Sequence, residues 1–505
     1  MRTISADMQK VEGPHDKMFR RCVGAGHALL GLRADYQDHL RMAREECGFE
    51  YIRLHGLLHD DMGVYREEEG EPVYGWQYID KLYDFFLDIG IRPFVEFSFM
   101  PKALASGKET VFYWRGNKTP PASLEKWEEL IRQAVRHWQR RYGRNEVAKW
   151  YFEVWNEPNL KGFWSGSQDD YFALYAAAAK GVKSVCADFR VGGPATAGMA
   201  WISDTIEFCR KNGAPLDFIS SHTYGVDGHF DPTGKSVLYI SNHPDALWKG
   251  VHNAREQIRG SAMPDLELHV TEWSTSYSSR DPVHDNYYSA AYILSKLKKC
   301  EGAADSMAYW TFSDVFEELR PAMEAFHGGF GLVNLQGLRK PAFFGHKLLN
   351  QLGDTELACS DTEAWVCRDD RGVQVLFWEY TQLEQDAHNQ VFFSRDLPAK
   401  AKGPMRLVLS GLTAGSYEMA VHRVGYRCND VYTDYLDLGS PNDLSREEIE
   451  RLRARNNGAP EQVRRITVGE DGSFTTDIEM RENDVVLVTL SESGLSGPSK
   501  EMGVY

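Results

Sequence analysis

Between about residues 20 and 345, eight short apolar or β-branched runs alternate with amphipathic helical patterns. The runs cover residues 22–26, 51–56, 92–98, 149–158, 190–195, 218–225, 267–274 and 306–314. In the helical pattern at 123–142, Trp127, Leu130, Ile131, Ala134 and Trp138 fall on one face, with Ser123 placed to cap the start and Gly143 past the end. A second pattern, 78–89, puts Ile79, Leu82, Tyr83 and Phe86 on one face, and a third, 169–186, has the alanine-rich centre 176–179 that close helix packing requires. Eight strands alternating with helices predict an α/β fold, a (β/α)8 TIM barrel. A doubly wound open sheet is the competing arrangement, weakened because no G-x-G-x-x-G loop follows the first run.

After about residue 355 the texture changes. Short alternating strands at 373–380, 390–394, 405–412, 416–424, 464–468, 474–479 and 484–490, separated by turns at 412–415 and 469–472, predict a C-terminal accessory β-sandwich. A charged helix at 445–456 interrupts it. The expected organisation is an N-terminal segment 1–20 open to packing on the sandwich, a catalytic barrel over 21–350, a sandwich over 351–495 and a flexible tail over 496–505.

A formal net charge of −16 repels phosphate backbones and anionic lipid surfaces, so the expected partner is a small neutral ligand, with no nucleic acid and no membrane. The eight cysteines include no C-x-x-C pair and none at zinc-site spacing with a histidine, which reads as reduced, mostly buried thiols. The start of the chain lacks the apolar run of a secretion signal, and no stretch of about 18 apolar residues occurs, so the expected location is cytoplasmic. His59, Asp60 and Asp61 are adjacent, but three consecutive side chains cannot all face one ion, so a hydrogen-bonded loop is expected there, with no metal. Composition leaves a homo-oligomer, such as a tetramer built through 425–460, and a monomer both open.

Catalytic side chains of such barrels sit at the C-terminal ends of the strands. The fourth run ends in Trp155-Asn-Glu-Pro-Asn159, where Pro158 cannot continue a ladder and so places Glu157 at the strand's last position. The seventh ends in His269-Val-Thr-Glu-Trp273, where Glu272 closes an apolar run. Two glutamates at one barrel mouth are a candidate acid/base and nucleophile pair. Hydrolysis of an acetal needs one carboxyl to protonate the departing oxygen and another to meet the positive charge at the anomeric carbon.

Trp155-Asn-Glu-Pro158 and Thr271-Glu-Trp273 resemble the two catalytic signatures of glycoside hydrolase clan A. The longer segments Tyr51-Ile-Arg-Leu-His-Gly-Leu-Leu-His-Asp-Asp-Met-Gly63, Tyr151-Phe-Glu-Val-Trp-Asn-Glu-Pro-Asn159 and Val270-Thr-Glu-Trp-Ser-Thr-Ser-Tyr277 resemble family 39, closest to its bacterial β-xylosidases. The resemblance implies a retaining, exo-acting hydrolase that releases terminal β-D-xylose from xylo-oligosaccharides without a cofactor, with Glu157 as acid/base and Glu272 as nucleophile. It further implies that Asn156 bonds the sugar 2-OH, that His55 and His222 hold the sugar, and that Tyr224 donates to Glu272. Trp310 would form an apolar floor, and Glu318 would accept from a ring hydroxyl, a role that Glu317 shares as a candidate. Taken alone, His55 and His222 read better as hydrogen-bonded core histidines, and for Trp310 and Tyr224 barrel packing and a capped core tyrosine are open alternatives. Other family 39 sugars, namely iduronoside, glucoside, galactoside or arabinoside, are the alternative. An iduronoside needs a cationic partner, for which Arg53 and loop residues stay open. A non-catalytic sugar-binding protein is the second class; such barrels usually lose one carboxylate, and both are present here.

Overall fold

The computed structural model describes residues 1–492. The tail expected over 496–505 lies outside the described residues. Among those described, the strands Cys22–His27, Tyr51–His55, Arg92–Phe97, Tyr151–Val154, Arg190–Ala197, Phe218–Tyr224, Glu267–Ser274 and Ser306–Tyr309 run parallel and close into a barrel in sequence order, the eighth pairing with the first. A helix follows each: Ala34–Cys47, Gln77–Asp88, Leu124–Tyr142, Gln168–Val185, Ile202–Asn212, Ala246–Arg259, Tyr288–Cys300 and Pro341–Asn350.

Local chemistry accounts for the helix ends. The Ser123 hydroxyl accepts from the Lys126 N–H at 3.2 Å, and Gly143 leaves the helix at φ 84°, which an L side chain resists. The helix Leu124–Tyr142 buries Trp127, Leu130, Ile131, Ala134 and Trp138 toward the barrel. Helix Gln168–Val185 lies so close beside it that a Cβ on Gly181 would stand 2.8 Å from the Glu128 carbonyl oxygen.

Two strands are shorter than the sequence suggests. The eighth stops at Tyr309, and the fourth stops at Val154, three residues before Glu157. Trp155 (φ 75°) and Glu157 (φ 45°) take left-handed backbone conformations that non-glycine residues rarely adopt. The Glu157 N–H donates to the Ala195 carbonyl at 2.8 Å, so the end of the fifth strand holds this turn in place. Glu157 therefore sits on a pinned turn beyond the strand rather than at its last position.

Inward-facing residues alternate along each strand and form layers. Cys22, Phe94, Tyr151, Phe218 and Ala308 pack together as a floor at the N-terminal end. Two positions further along the strands stand Arg53, Glu96, Glu153, Ser220 and Thr271, all buried.

The second unit is a nine-stranded sheet. It folds over so that Ile4, Met8, Val375, Phe377, Leu407, Leu409, Met419, Ile478 and Val488 share one apolar core, the sandwich expected. Three of its strands were not foreseen: Thr3–Pro14, Thr355–Cys359 and Ala364–Asp369. The first lies antiparallel to Thr355–Cys359 and parallel to Ala401–Ser410. The strand expected at 390–394 is instead a helical turn, Asn389–Phe392. Consecutive Phe392 and Phe393 are both buried in the barrel's main core, which a strand, pointing them to opposite faces, would not allow. The charged helix is present as Arg446–Arg455 behind a capping box at Ser445. With Val431–Asp437 it packs Val431, Tyr432, Tyr435 and Leu452 against Phe326 and Leu338 of the barrel's last loop.

Candidate active site

A cavity of about 410 Å³ opens among the loops that follow the barrel strands. Glu157 and Glu272 both line it, and one oxygen of each lies within 4.8 Å of the other and of a His222 ring nitrogen. Seven of the eight sequence-predicted residues line this cavity: His55, Asn156, Glu157, Tyr224, Glu272, Trp310 and Glu318. The eighth, His222, is fully buried behind it, with Nδ1 2.9 Å from Glu157 Oε1 and 3.6 Å from Glu272 Oε2. His222 Nδ1 thus contacts both members of the acid pair.

Arg53 organises the centre from below. Its guanidinium is fully buried and reaches Glu153 Oε2 at 2.5 Å, Glu96 Oε2 at 2.7 Å, Glu272 Oε1 at 2.6 Å and Asn156 Oδ1 at 2.9 Å. Burial alone would lower its pKa, but the surrounding carboxylates outweigh that and hold it well above the ordinary value. Glu272 also accepts from the Tyr224 hydroxyl at 2.7 Å, so each of its oxygens has a donor. Glu96 accepts from Ser98 and stands 2.8 Å from His55 Nδ1. Its burial would raise its pKa, yet Arg53 and His55 hold it below the usual value. The other His55 nitrogen, Nε2, faces the cavity, 3.5 Å from Glu272 and 3.6 Å from Glu318.

Glu157 has the opposite electrostatics. Burial and the negative charge of Glu272 push its pKa well above the ordinary carboxyl value. His222 is held neutral, its pKa pushed well below the ordinary value by burial and by Arg53 and His55. A neutral imidazole can accept from a protonated carboxyl or donate to an ionised one, according to its tautomer. One carboxyl that retains its proton beside one fixed by cationic and hydroxyl donors is the division of labour that acid-assisted displacement needs.

Trp310 lies one residue beyond the eighth strand, its ring 4.7 Å from that of His55. Gly24 makes room for it: a Cβ there would stand 2.3 Å from the indole. Glu318 lines the cavity, whereas Glu317 faces outward to Arg33 at 3.3 Å, which separates two neighbours that sequence alone left equivalent. Glu318 too has a raised pKa, from burial and then the charges of Glu272 and Glu157. In the loop at 59–61, Asp61 Oδ1 lies 2.7 Å from His59 Nδ1 and 3.2 Å from His27 Nε2. The His27 ring stacks on Trp114 at 4.0 Å, so this set braces the wall of the mouth.

Sequence reasoning missed Glu96 and Glu153 as site residues, held Arg53 open only as a partner for a uronate, and missed the cavity-lining Phe112, Leu160, Val226, Tyr277 and Phe330. The first three did leave a signal. A strand buried on both faces should be apolar, so a charge in its middle must be paired. The apolar wall left none, because loop aromatics and aliphatics look alike in a sequence whether they face a ligand or a core.

The family model for glycosyl hydrolases family 39 matches residues 2–472. The chain is 40% identical over 491 residues to a β-xylosidase of Geobacillus stearothermophilus, covering 94% of this chain and 93% of that one. Among solved structures, the GH39 enzyme from Xanthomonas axonopodis pv. citri superposes with a TM-score of 0.95 at 44% identity, covering 97% of both chains. A monomeric β-xylosidase from Caulobacter crescentus CB15 gives a TM-score of 0.95 at 43% identity, covering 97% of this chain and 100% of that one. With two catalytic-type glutamates facing each other at the mouth of a closed (β/α)8 barrel and a match that runs nearly end to end, this chain belongs to glycosyl hydrolases family 39.

Proposed function

We propose that this protein is a retaining, exo-acting glycoside hydrolase that releases terminal β-D-xylose from short xylosides. The observation that carries the reading is the approach of Glu157 and Glu272, with oxygens within 4.8 Å across one cavity. Retaining enzymes hold their carboxyls about 5–5.5 Å apart, and inverting ones leave about 6.5–9.5 Å for a water. In the first step a Glu272 oxygen bonds to the anomeric carbon, the bond from that carbon to the leaving oxygen breaks, and the Glu157 proton passes to that oxygen. Forming the ester removes the Glu272 charge, one cause of the raised Glu157 pKa, so that pKa falls and Glu157 remains the carboxylate that the second step needs. In the second step Glu157 takes a proton from water, the water oxygen bonds to the anomeric carbon, and the ester bond to Glu272 breaks. Asn156, tied to Arg53 through Oδ1, is placed to meet a sugar hydroxyl through its amide nitrogen.

The xylose assignment draws on the names of the similar β-xylosidases. It is supported against a uronoside by charge. Among the described residues lining the cavity, three are carboxylic acids and none is lysine or arginine. Arg53, the cation left open for that duty, is consumed by three carboxylates. All eight cysteines are unpaired, which supports a reducing compartment such as the cytoplasm. Among the described residues no helix is long and apolar enough to cross a membrane.

A panel of aryl β-D-xyloside, β-D-glucoside, β-D-galactoside, α-L-arabinoside and α-L-iduronoside tests the reading. The xyloside is expected to have the highest kcat/KM; a higher value on any other member would replace xylose with that sugar.

A further inference from the structure

Two of the side chains that line the cavity, Val226 and Tyr277, stand on loops that burial does not fix. Val226 opens a hairpin of strands Val226–Phe230 and Ser236–Ile240, whose tip is exposed, Phe230 by 80%. Tyr277 follows the seventh barrel strand and is 50% exposed. The two loops press together. A Cβ on Gly228 would stand 3.1 Å from the Tyr277 hydroxyl, and the Gly225 N–H donates to the Thr275 carbonyl at 3.2 Å. Loops with exposed tips are placed by what holds their bases.

Both bases end on one buried pair. Val226 pairs with Ile240 across the hairpin, and the Ile240 N–H is shared by Asn389 Oδ1 at 3.2 Å and Gln385 Oε1 at 2.8 Å. The Asn389 amide nitrogen donates to Asp281 Oδ2 at 2.8 Å, at the far end of the Tyr277 loop. Asn389 and Asp281 are each 1% exposed. All four of their side-chain polar atoms are used: Asn389 Oδ1 also accepts from Gln385 Nε2 at 2.8 Å, and Asp281 Oδ1 accepts from the Val283 N–H at 3.2 Å. Asn389 lies between the strands Gly372–Trp378 and Ala401–Ser410 of the second unit, so its amide joins two barrel loops from outside the barrel. Phe330, on the loop after the eighth strand, has a separate clamp. Lys340 donates to the Gly329 carbonyl at 2.9 Å, and Asp314 Oδ1 accepts from the Gly331 N–H at 2.7 Å. Tyr224 and Glu272 are also placed independently, by strand pairing opposite Ser274 and His222.

We infer that Asn389 and Asp281 are positioning residues for substrate binding, which hold the Val226 and Tyr277 wall at the width the bound glycoside needs. They touch no reacting atom, so they act on binding and leave bond breaking to the acids. The inference rests on the proposed hydrolase reading, since it takes this cavity as the substrate site. What the pair requires is a donor facing an acceptor. Asn389→Asp replaces the donor with a second carboxylate in a buried place. Asp281→Asn sets an amide N–H against either the Asn389 amide or the Val283 N–H. Made together, the two changes restore every bond: an amide at 281 gives its N–H to a carboxylate at 389 and still accepts from Val283, while that carboxylate still accepts from Ile240 and Gln385.

The test measures kcat, KM and melting temperature for the wild type, Asn389→Asp, Asp281→Asn and the double variant. The substrate is an aryl β-D-xyloside, or the aryl glycoside that the panel shows to be cleaved best. Each single change is expected to raise KM about fivefold or more while kcat stays within about threefold, the pattern of lost uniform binding. The double variant is expected to bring KM back to within about twofold of the wild type, as coupling between contacting residues requires. A pair that only staples the fold would lower the melting temperature of the single variants and leave KM unchanged, and that result would overturn the inference. A double variant whose KM is no lower than those of the single variants would overturn it too. If Asn389→Asp does not fold, Asp281→Asn, which buries no second charge, decides alone: a wild-type KM there overturns the inference. A wild type that cleaves no aryl glycoside would overturn the proposed function and this inference together, whereas unchanged KM in variants of an active enzyme falls on this inference alone.

Discussion

The two ends of the barrel are made from the same eight strands and do opposite things. At the N-terminal end the Phe94 and Tyr151 rings stack at 4.8 Å, and Phe218 meets Tyr151 edge-on at 5.3 Å, with His269 closing the layer. One side-chain layer further along, Arg53, Glu96 and Glu153 replace rings with charge, and beyond them lie the two facing glutamates. The floor stabilises by burial, which needs only the right volume. At the mouth, Arg53 and the carboxylates it pairs with tolerate burial because each meets an opposite charge, and the left-handed backbone at Glu157 is kept by the Ala195 hydrogen bond. Substitutions at the floor should therefore change stability and spare the chemistry of the folded enzyme, whereas those at the mouth should change the chemistry.

The sharpest break between the two ends is expected at the acids. Glu272→Ala should lose at least about 10⁴-fold in kcat on every glycoside, as removal of a nucleophile does. Glu157→Ala should lose comparably on unactivated glycosides but retain most of the first-step rate on a dinitrophenyl glycoside, whose leaving group needs no proton; equal collapse on both substrates would contradict the roles. Next comes a matched pair. Arg53→Met strands buried carboxylates and should cost about 3–5 kcal/mol in denaturant unfolding together with kcat. Phe218→Ala at the floor should cost a similar about 3–5 kcal/mol while kcat per folded molecule stays within about threefold. A Phe218→Ala protein as inactive as Arg53→Met would erase the distinction.

The pH profile gives a smaller effect. Glu157 must be protonated in the free enzyme, and its pKa is raised by burial and by Glu272. Activity should thus persist above the ordinary carboxyl range and fall as pH rises through the raised value. Loss of kcat/KM beginning near pH 4.5, the ordinary glutamate value, would contradict the assignment. The smallest contrast is between neighbours. Glu318→Gln should reduce kcat/KM by about tenfold, the scale of one hydrogen bond to a charged group, while Glu317→Gln, which pairs outward with Arg33, should stay within about twofold.

The barrel was legible because strand-helix alternation recurs eight times, and the caps at Ser123 and Gly143 obey local chemistry that tertiary contacts did not override. The acid pair was legible because each glutamate closes an apolar run near the C-terminal end of a strand, although the fourth strand stops at Val154 and the seventh continues past Glu272 to Ser274. The N-terminal strand Thr3–Pro14 was not, since its partners are Thr355–Cys359 and Ala401–Ser410, far away in the chain. The segment 390–394 misled because the apolar run around Phe392 and Phe393 looks the same whether it joins a sheet or docks on the barrel. The burial of His222 behind Glu157 was hidden for a related reason: its strand parity places it inward, but parity does not say whether an acid or a ligand fills the space before it.

The account depends on Glu157 and Glu272 serving one anomeric carbon in two successive displacements. Proton NMR of the first sugar released from an unactivated β-glycoside, recorded before mutarotation, reads this directly. The account predicts that the β-anomer forms first and decays toward equilibrium; an initial α-anomer signal would mean a single displacement by water and would contradict it.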